Sequence, residues 1–115
     1  MNLDRGVLKD LDFQKGEGLI PVVAQDYVSK EVVMLAYMNE EALRETLRTG
    51  YAHYWSRSRM RLWRKGETSG NTQRVKAVYY DCDGDALLLL VDQKGYACHT
   101  GNRTCFYREI PLGQS

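Results

Sequence analysis

"QRVKAVYYDCDGDALLLLVDQKG", residues 73–95, is the stretch whose reading decides the fold. Branched and aromatic residues over 73–82 read as one strand and Asp83-Gly84-Asp85 as a tight turn. Residues 86–92 are the returning partner, and Gln93-Lys94-Gly95 is another turn. A hairpin of this kind needs a sheet around it. The same stretch crowds Asp81, Asp83 and Asp85 around Cys82, directly ahead of four leucines. Like charges this close repel, and a carboxylate beside an apolar wall is costly without compensation. The pattern asks for a cation.

Working outward, "GLIPVVAQD" (18–26) reads as a strand, with Pro21 near its start suggesting an edge position. "EVVMLAYM" (31–38) is a second strand. Asn39 is a good N-cap, Glu40 and Glu41 suit the first helical turn, and Gly50 stops the helix. Ala42, Leu43, Thr46 and Leu47 form its inward stripe. Alternation returns in "YAHYWSRS" (51–58), and "KGETSGN" (65–71) is a loop. "YACH" (96–99) and "RTCFYREI" (103–110) are expected as the last two strands, joined by "TGN". The first dozen residues suit a short helix or a loose arm. No repeat or linker stands out, so residues 1–115 are expected to form a single domain. The class is α+β: a mainly antiparallel sheet or half-barrel with one short helix packed on it.

Composition is that of an ordinary globular chain: 115 residues, 43% hydrophobic, 27% charged, formal net charge +1. No global field commits it to a polyanion or a lipid surface. The chain has no apolar run of membrane-spanning length and no signal pattern at its start, so a cytoplasmic location without membrane partners is expected. Locally the charge is uneven, with seven basic residues between Ser56 and Lys76 against the single acid Glu67.

Three cysteines, Cys82, Cys98 and Cys105, are an odd set that suits thiols or metal ligands better than closed disulfides. Zinc takes thiolates and imidazoles, and three protein ligands leave a fourth position for water. The spacing matches no standard finger, and each cysteine alone could equally be a small buried hydrophobe. For the aspartates, strand alternation would put Asp81 and Asp83 on one face and Cys82 on the other, with Gly84 curling Asp85 back. Three converging carboxylates suit Mg²⁺; the plain alternative is a solvated Asp-Gly turn.

"YWSRSRMRLWRKGETSGNTQ" (54–73) is the other unusual segment. In an extended strand Arg57, Arg59 and Arg61 would line one face, and guanidinium forks grip phosphates. Ser69 and Asn71 add neutral donors, Gly66 and Gly70 permit close backbone approach, and Trp55 and Trp63 could stack on a base. The tryptophans alone read as core. The whole segment reads better as a binding surface for a ligand with phosphates and an aromatic ring.

Together "YWSRSRMRLWRKGETSGNTQ", "DCDGDALLLLV" and "ACHTGNRTCFYRE" resemble phosphoribosyl-AMP cyclohydrolases of histidine biosynthesis, over about Gly18 to Glu109. Tyr96 stands where that pattern has proline. The resemblance implies the third step of the pathway: hydrolysis of the N1–C6 bond of the adenine ring in 1-(5-phosphoribosyl)-AMP. It implies an intertwined homodimer with active sites at the subunit interface, and a form lacking the pyrophosphohydrolase domain sometimes fused behind it. It further implies one zinc per subunit held by Cys82, Cys98 and Cys105 drawn from both chains, and magnesium held by Asp81, Asp83 and Asp85. His99, beside a zinc ligand, would shuttle a proton to the leaving nitrogen, or else only orient a ligand. Arg57, Arg59, Arg61, Trp63, Ser69 and Asn71 would bind the small-molecule substrate.

Two other readings compete. A zinc-stabilised nucleic-acid-binding module would use the basic segment on phosphates, but the aspartates would repel a polyanion. A zinc nucleobase deaminase would carry an H-x-E…P-C-x-x-C signature, which this chain lacks.

Overall fold

A computed structural model describes residues 9–113. The helix or arm expected over the first dozen residues falls for the most part on positions 1–8, outside the described residues. In chain order the elements are a 3-10 turn at Gln14–Gly16, β1 (Ile20–Asp26), β2 (Val32–Met38) and α1 (Glu40–Thr49). Then come β3 (His53–Ser56), β4 (Arg61–Arg64), β5 (Gln73–Tyr80) and β6 (Leu87–Gln93).

Four strands form one sheet in the order β2-β1-β6-β5, and β3 with β4 forms a separate ribbon. The pairs β1–β2, β3–β4 and β5–β6 are antiparallel, whereas β1 and β6 run parallel. The class is α+β, as the sequence indicates, with a mixed and mainly antiparallel sheet. One expectation is corrected: β1 lies inside the sheet, not at its edge. Pro21 is tolerated because pairing with β6 begins one residue later, at Val22 opposite Leu87.

Burial alternates along the two central strands. Ile20, Val22 and Ala24 of β1 and Leu87, Leu89 and Val91 of β6 face the core, while Leu88 and Leu90 are half-buried on the other face. A slip of one residue would turn every one of these side chains outward, so the register is strongly specified. Each fully buried aliphatic contributes roughly 1.5–3 kcal/mol. Helix α1 closes the core with Ala42 and Leu43. Its caps form as expected: Asn39 Oδ1 accepts from Ala42 N at 2.8 Å, and Gly50 takes the left-handed conformation with φ 80°. Thr46 is buried because its hydroxyl donates to Ala42 O at 2.8 Å and accepts from His53 N at 2.9 Å, joining α1 to β3. Across the core, Tyr54 Oη donates to Gln73 Oε1 at 2.6 Å, and Gln73 Nε2 donates to Gln93 Oε1 at 2.8 Å.

Two further expectations are overturned. Residues 57–60 are a turn between β3 and β4, with Met60 at φ 51°, so Arg57, Arg59 and Arg61 do not share one strand face. Residues 96–113 contain no strand among the described residues. Ala97 N donates to Arg103 O and Cys98 N to Asn102 O, making a narrow loop, and Cys105 N then donates to Val33 O at 2.7 Å. Side chains take the place of a ladder here. Thr104 Oγ1 donates to Val32 O at 2.8 Å and accepts from Phe106 N at 3.0 Å, an arrangement that competes with strand pairing.

Candidate active site

The β3–β4 ribbon, the loop after β4 and the loop after β6 enclose a groove of about 1030 Å³. Arg57, Arg59, Arg61, Arg64 and Lys65 line it, with Trp55, Trp63, Ser69 and Asn71, and Cys98 and His99 stand in the same wall. Thus the residues expected to bind substrate do converge, although by a turn and a ribbon instead of one strand. Arg57 stacks on Tyr37 with its guanidinium carbon 4.0 Å from the ring centre, and Arg61 pairs with Glu67 at 3.0 Å. Arg59 has no ion-pair or hydrogen-bond partner for its guanidinium among the described residues and is exposed. Trp63 packs against the buried Tyr54 with ring centres 5.5 Å apart, so it is part core and part groove wall, while Trp55 is a half-buried groove residue. The loop is pinned at Gly66 (φ 82°), where a Cβ would stand 2.6 Å from the Asn71 and Thr72 backbone. Gly70 has open space around it, and there it is the backbone (φ 82°), not a close neighbour, that favours glycine.

At the edge of the groove the thiols of Cys98 and Cys105 are near enough that each affects the ionisation of the other. Asn102 Nδ2 donates to Thr100 Oγ1 at 2.9 Å, which leaves the Thr100 hydroxyl proton for Cys98 Sγ, also at 2.9 Å. That hydrogen bond, helped by the Thr100 N–H and the charge of Lys65, holds the Cys98 thiol below its ordinary value. Burial and the neighbouring Cys98 push the Cys105 thiol up. Lys65 Nζ donates to Ala97 O. Burial lowers the pKa of Lys65 and the two thiols oppose that shift. Sequence reasoning counted Lys65 as charge only and missed this placement; nothing local in the chain marks it.

Cys82 is elsewhere. It is exposed in the β5–β6 turn, at the start of β6, whereas Cys98 and Cys105 lie past its end. A strand of seven residues, about 20 Å long, separates them. The aspartates share the Cys82 end. Strand β5 stops at Tyr80, so Asp81 and Asp83 converge through a turn and not through strand alternation. Oxygens of Asp81, Asp83 and Asp85 all lie within 4.8 Å of one another, the one such group of potential ligands among the described residues. Asp81 Oδ1 also accepts from Asp85 N at 2.9 Å, so it builds the turn. Gly84 (φ 70°) is required there, because a Cβ would stand 1.9 Å from Asp10 O. Part of the missing positive charge is in the chain itself: Lys15 Nζ lies 2.6 Å from Asp85 Oδ2.

These donor sets fit metals of opposite character. Clustered carboxylates suit a hard divalent cation, and a thiol pair with one depressed pKa suits a soft one that needs further ligands from outside this cluster.

A basic groove with aromatic walls and a thiol–imidazole edge has the make-up of a small-molecule pocket, the class to which an enzyme site belongs. Comparison with known proteins names the kind. The sequence profile of the Phosphoribosyl-AMP cyclohydrolase family matches residues 34–107. A phosphoribosyl-AMP cyclohydrolase of Archaeoglobus fulgidus is 66% identical over 101 residues, 88% of this chain and 93% of the relative. One from Clostridium botulinum strain 657 is 60% identical over 110 residues, 96% of this chain and 99% of the relative. A histidine biosynthesis bifunctional protein of Caldanaerobacter subterraneus is 60% identical over 103 residues, 90% of this chain and 50% of the relative. The chain belongs to the phosphoribosyl-AMP cyclohydrolase family and is a hydrolase acting on a small molecule. The nucleic-acid module and the deaminase are set aside. Among the described residues no helix is long and apolar enough to cross a membrane.

Proposed function

We propose that this chain opens the adenine ring of 1-(5-phosphoribosyl)-AMP by hydrolysing its N1–C6 bond, the third step of histidine biosynthesis, in the cytoplasm. The observation that carries the reading is the meeting of Cys98 and His99 with the arginine-lined groove. Arg59, exposed at the hairpin tip, takes a 5′-phosphate, and Arg57 and Arg61 supply further positive charge. Trp55 and Trp63 offer flat faces to the purine. Ser69 and Asn71 orient the ribose side. His99 holds the proton that the leaving N1 needs as the bond breaks.

The thiols of Cys98 and Cys105 would hold zinc, which when bound supplies a water acidic enough to attack the electron-poor C6 near neutral pH. The third thiol is Cys82 of a second copy, because within one chain Cys82 lies a sheet length from the other two. The same displacement applies to Asp81, Asp83 and Asp85, which would hold magnesium against phosphate or ribose oxygens. Each site is therefore completed by a homodimer. Exposed Phe106, Tyr107, Ile110 and Leu112 give the chain an apolar surface that such an assembly would cover.

The test is direct. Metal-free protein is incubated with phosphoribosyl-AMP, then with zinc, with and without magnesium, and ring opening is followed by ultraviolet absorbance. Turnover that requires zinc and is lost in Cys98→Ala supports the reading. Full activity in that variant would remove Cys98 from the site.

A further inference from the structure

We infer that Arg103, locked to buried Asp26, is the positioning residue that presents Cys98 and Cys105 to their metal. This rests on the zinc reading above and adds residues that play no part in it. The loop carrying both thiols has no strand or helix to shape it. Backbone bonds close it and Thr104 ties it to β2, and one further side chain fastens it to the ends of the other strands. Arg103 Nη2 donates to Asp26 Oδ1 at 3.1 Å, and Nη1 donates to Gly95 O at 3.0 Å and Gln93 O at 3.3 Å. Its Nε lies 3.3 Å from Glu31 Oε1.

Those partners are the end of β1, the residue before β2, and the end of β6, so one guanidinium gathers three strand termini. Asp26 is itself held: it is 4% exposed and also accepts from Val28 N, Ser29 N and Gln93 N. All four acceptor positions of the carboxylate are used, leaving it no alternative orientation. From this fixed point the chain runs back through Arg103 O, which accepts from Ala97 N, to Cys98, and forward two residues to Cys105. A planar fork can serve all these partners at once; an ammonium group cannot. Supporting groups outside the ligands commonly change metal affinity 10–100-fold.

The experiment measures zinc affinity by competition with a chromophoric chelator, in parallel with kcat and KM at saturating zinc. The proteins are the parent, Cys98→Ala, Arg103→Met and Arg103→Lys. Arg103→Met should bind zinc at least about tenfold more weakly. Arg103→Lys keeps a charge for Asp26, and so the fold, but loses the carbonyl contacts; it should show a smaller loss in the same direction. Saturating zinc should restore kcat with KM unchanged, which a general loss of folded protein would not allow. A folded Arg103→Met, or Arg103→Lys if Met does not fold, with zinc affinity equal to the parent overturns the inference. If Cys98→Ala binds zinc as well as the parent, the zinc reading itself has failed, a different outcome from failure of the arginine alone.

Discussion

Lys15 Nζ stands 2.6 Å from Asp85 Oδ2, a contact across seventy positions of sequence that sets an ammonium group on the acidic turn. The pair raises the pKa of Lys15 and lowers that of Asp85. A divalent cation held by this turn would therefore compete with the lysine for one carboxylate. Lys15→Met should tighten Mg²⁺ binding to the turn by a factor of about two to five, the scale of an exposed ion pair. Calorimetric titration at low ionic strength checks this, and weaker binding in the variant would make Lys15 a helper of the cation instead of its rival.

Tyr54 and Gln73 are both fully buried, and the tyrosine hydroxyl is a donor to Gln73 Oε1. Tyr54→Phe would leave that oxygen in the core without its donor. The expected cost is about 1–3 kcal/mol in the free energy of unfolding, read by denaturant titration. A loss well below that range would mean that a water or a rotated amide replaces the hydroxyl.

Asp26 gives the fold a dependence on acid. Burial raises its pKa, but N–H groups of Ser29, Gln93 and Val28 outweigh burial and hold it below the ordinary value of 3.8. A carboxyl depressed in the folded state binds protons less readily than in the unfolded chain. Its stabilisation is therefore complete above about pH 4 and is lost as the pH falls through the lower folded value. Thermal unfolding of Asp26→Asn between pH 5 and 2.5 should show a shallower decline than the parent. Equal slopes would assign the acid sensitivity to other carboxyls.

Stripping metal should act on assembly as well as on catalysis. If a thiol from each of two copies shares one ion, chelation removes a link between chains, because metal binding is coupled to association. Sizing chromatography after treatment with a strong chelator should show a lower dimer fraction and the activity assay most of the rate gone, both restored by zinc. A dimer unchanged after complete zinc removal would make the metal catalytic but not a major contributor to assembly.

What the sequence by itself determined is local. The hairpin of β5 and β6 follows from two apolar runs around Asp-Gly, and α1 from Asn39, its inward stripe and Gly50. The convergence of Asp81, Asp83 and Asp85 needs only a five-residue turn with Gly84 at its bend. The groove residues of 55–71 are likewise close in sequence, which is why their grouping was legible even though the hairpin turn at 57–60 was not. Tertiary structure decided the rest. It placed β1 beside β6 in parallel, turned the last two expected strands into a loop, brought Lys65 to the thiol pair and tied Arg103 of that loop to Asp26, while keeping Cys82 a sheet length away. The physical reason is range. Turns and caps are satisfied by neighbours whose identities can be read along the chain. Contacts between distant segments are chosen by how the whole core buries its apolar faces, and that choice leaves no period or spacing in the residues it joins.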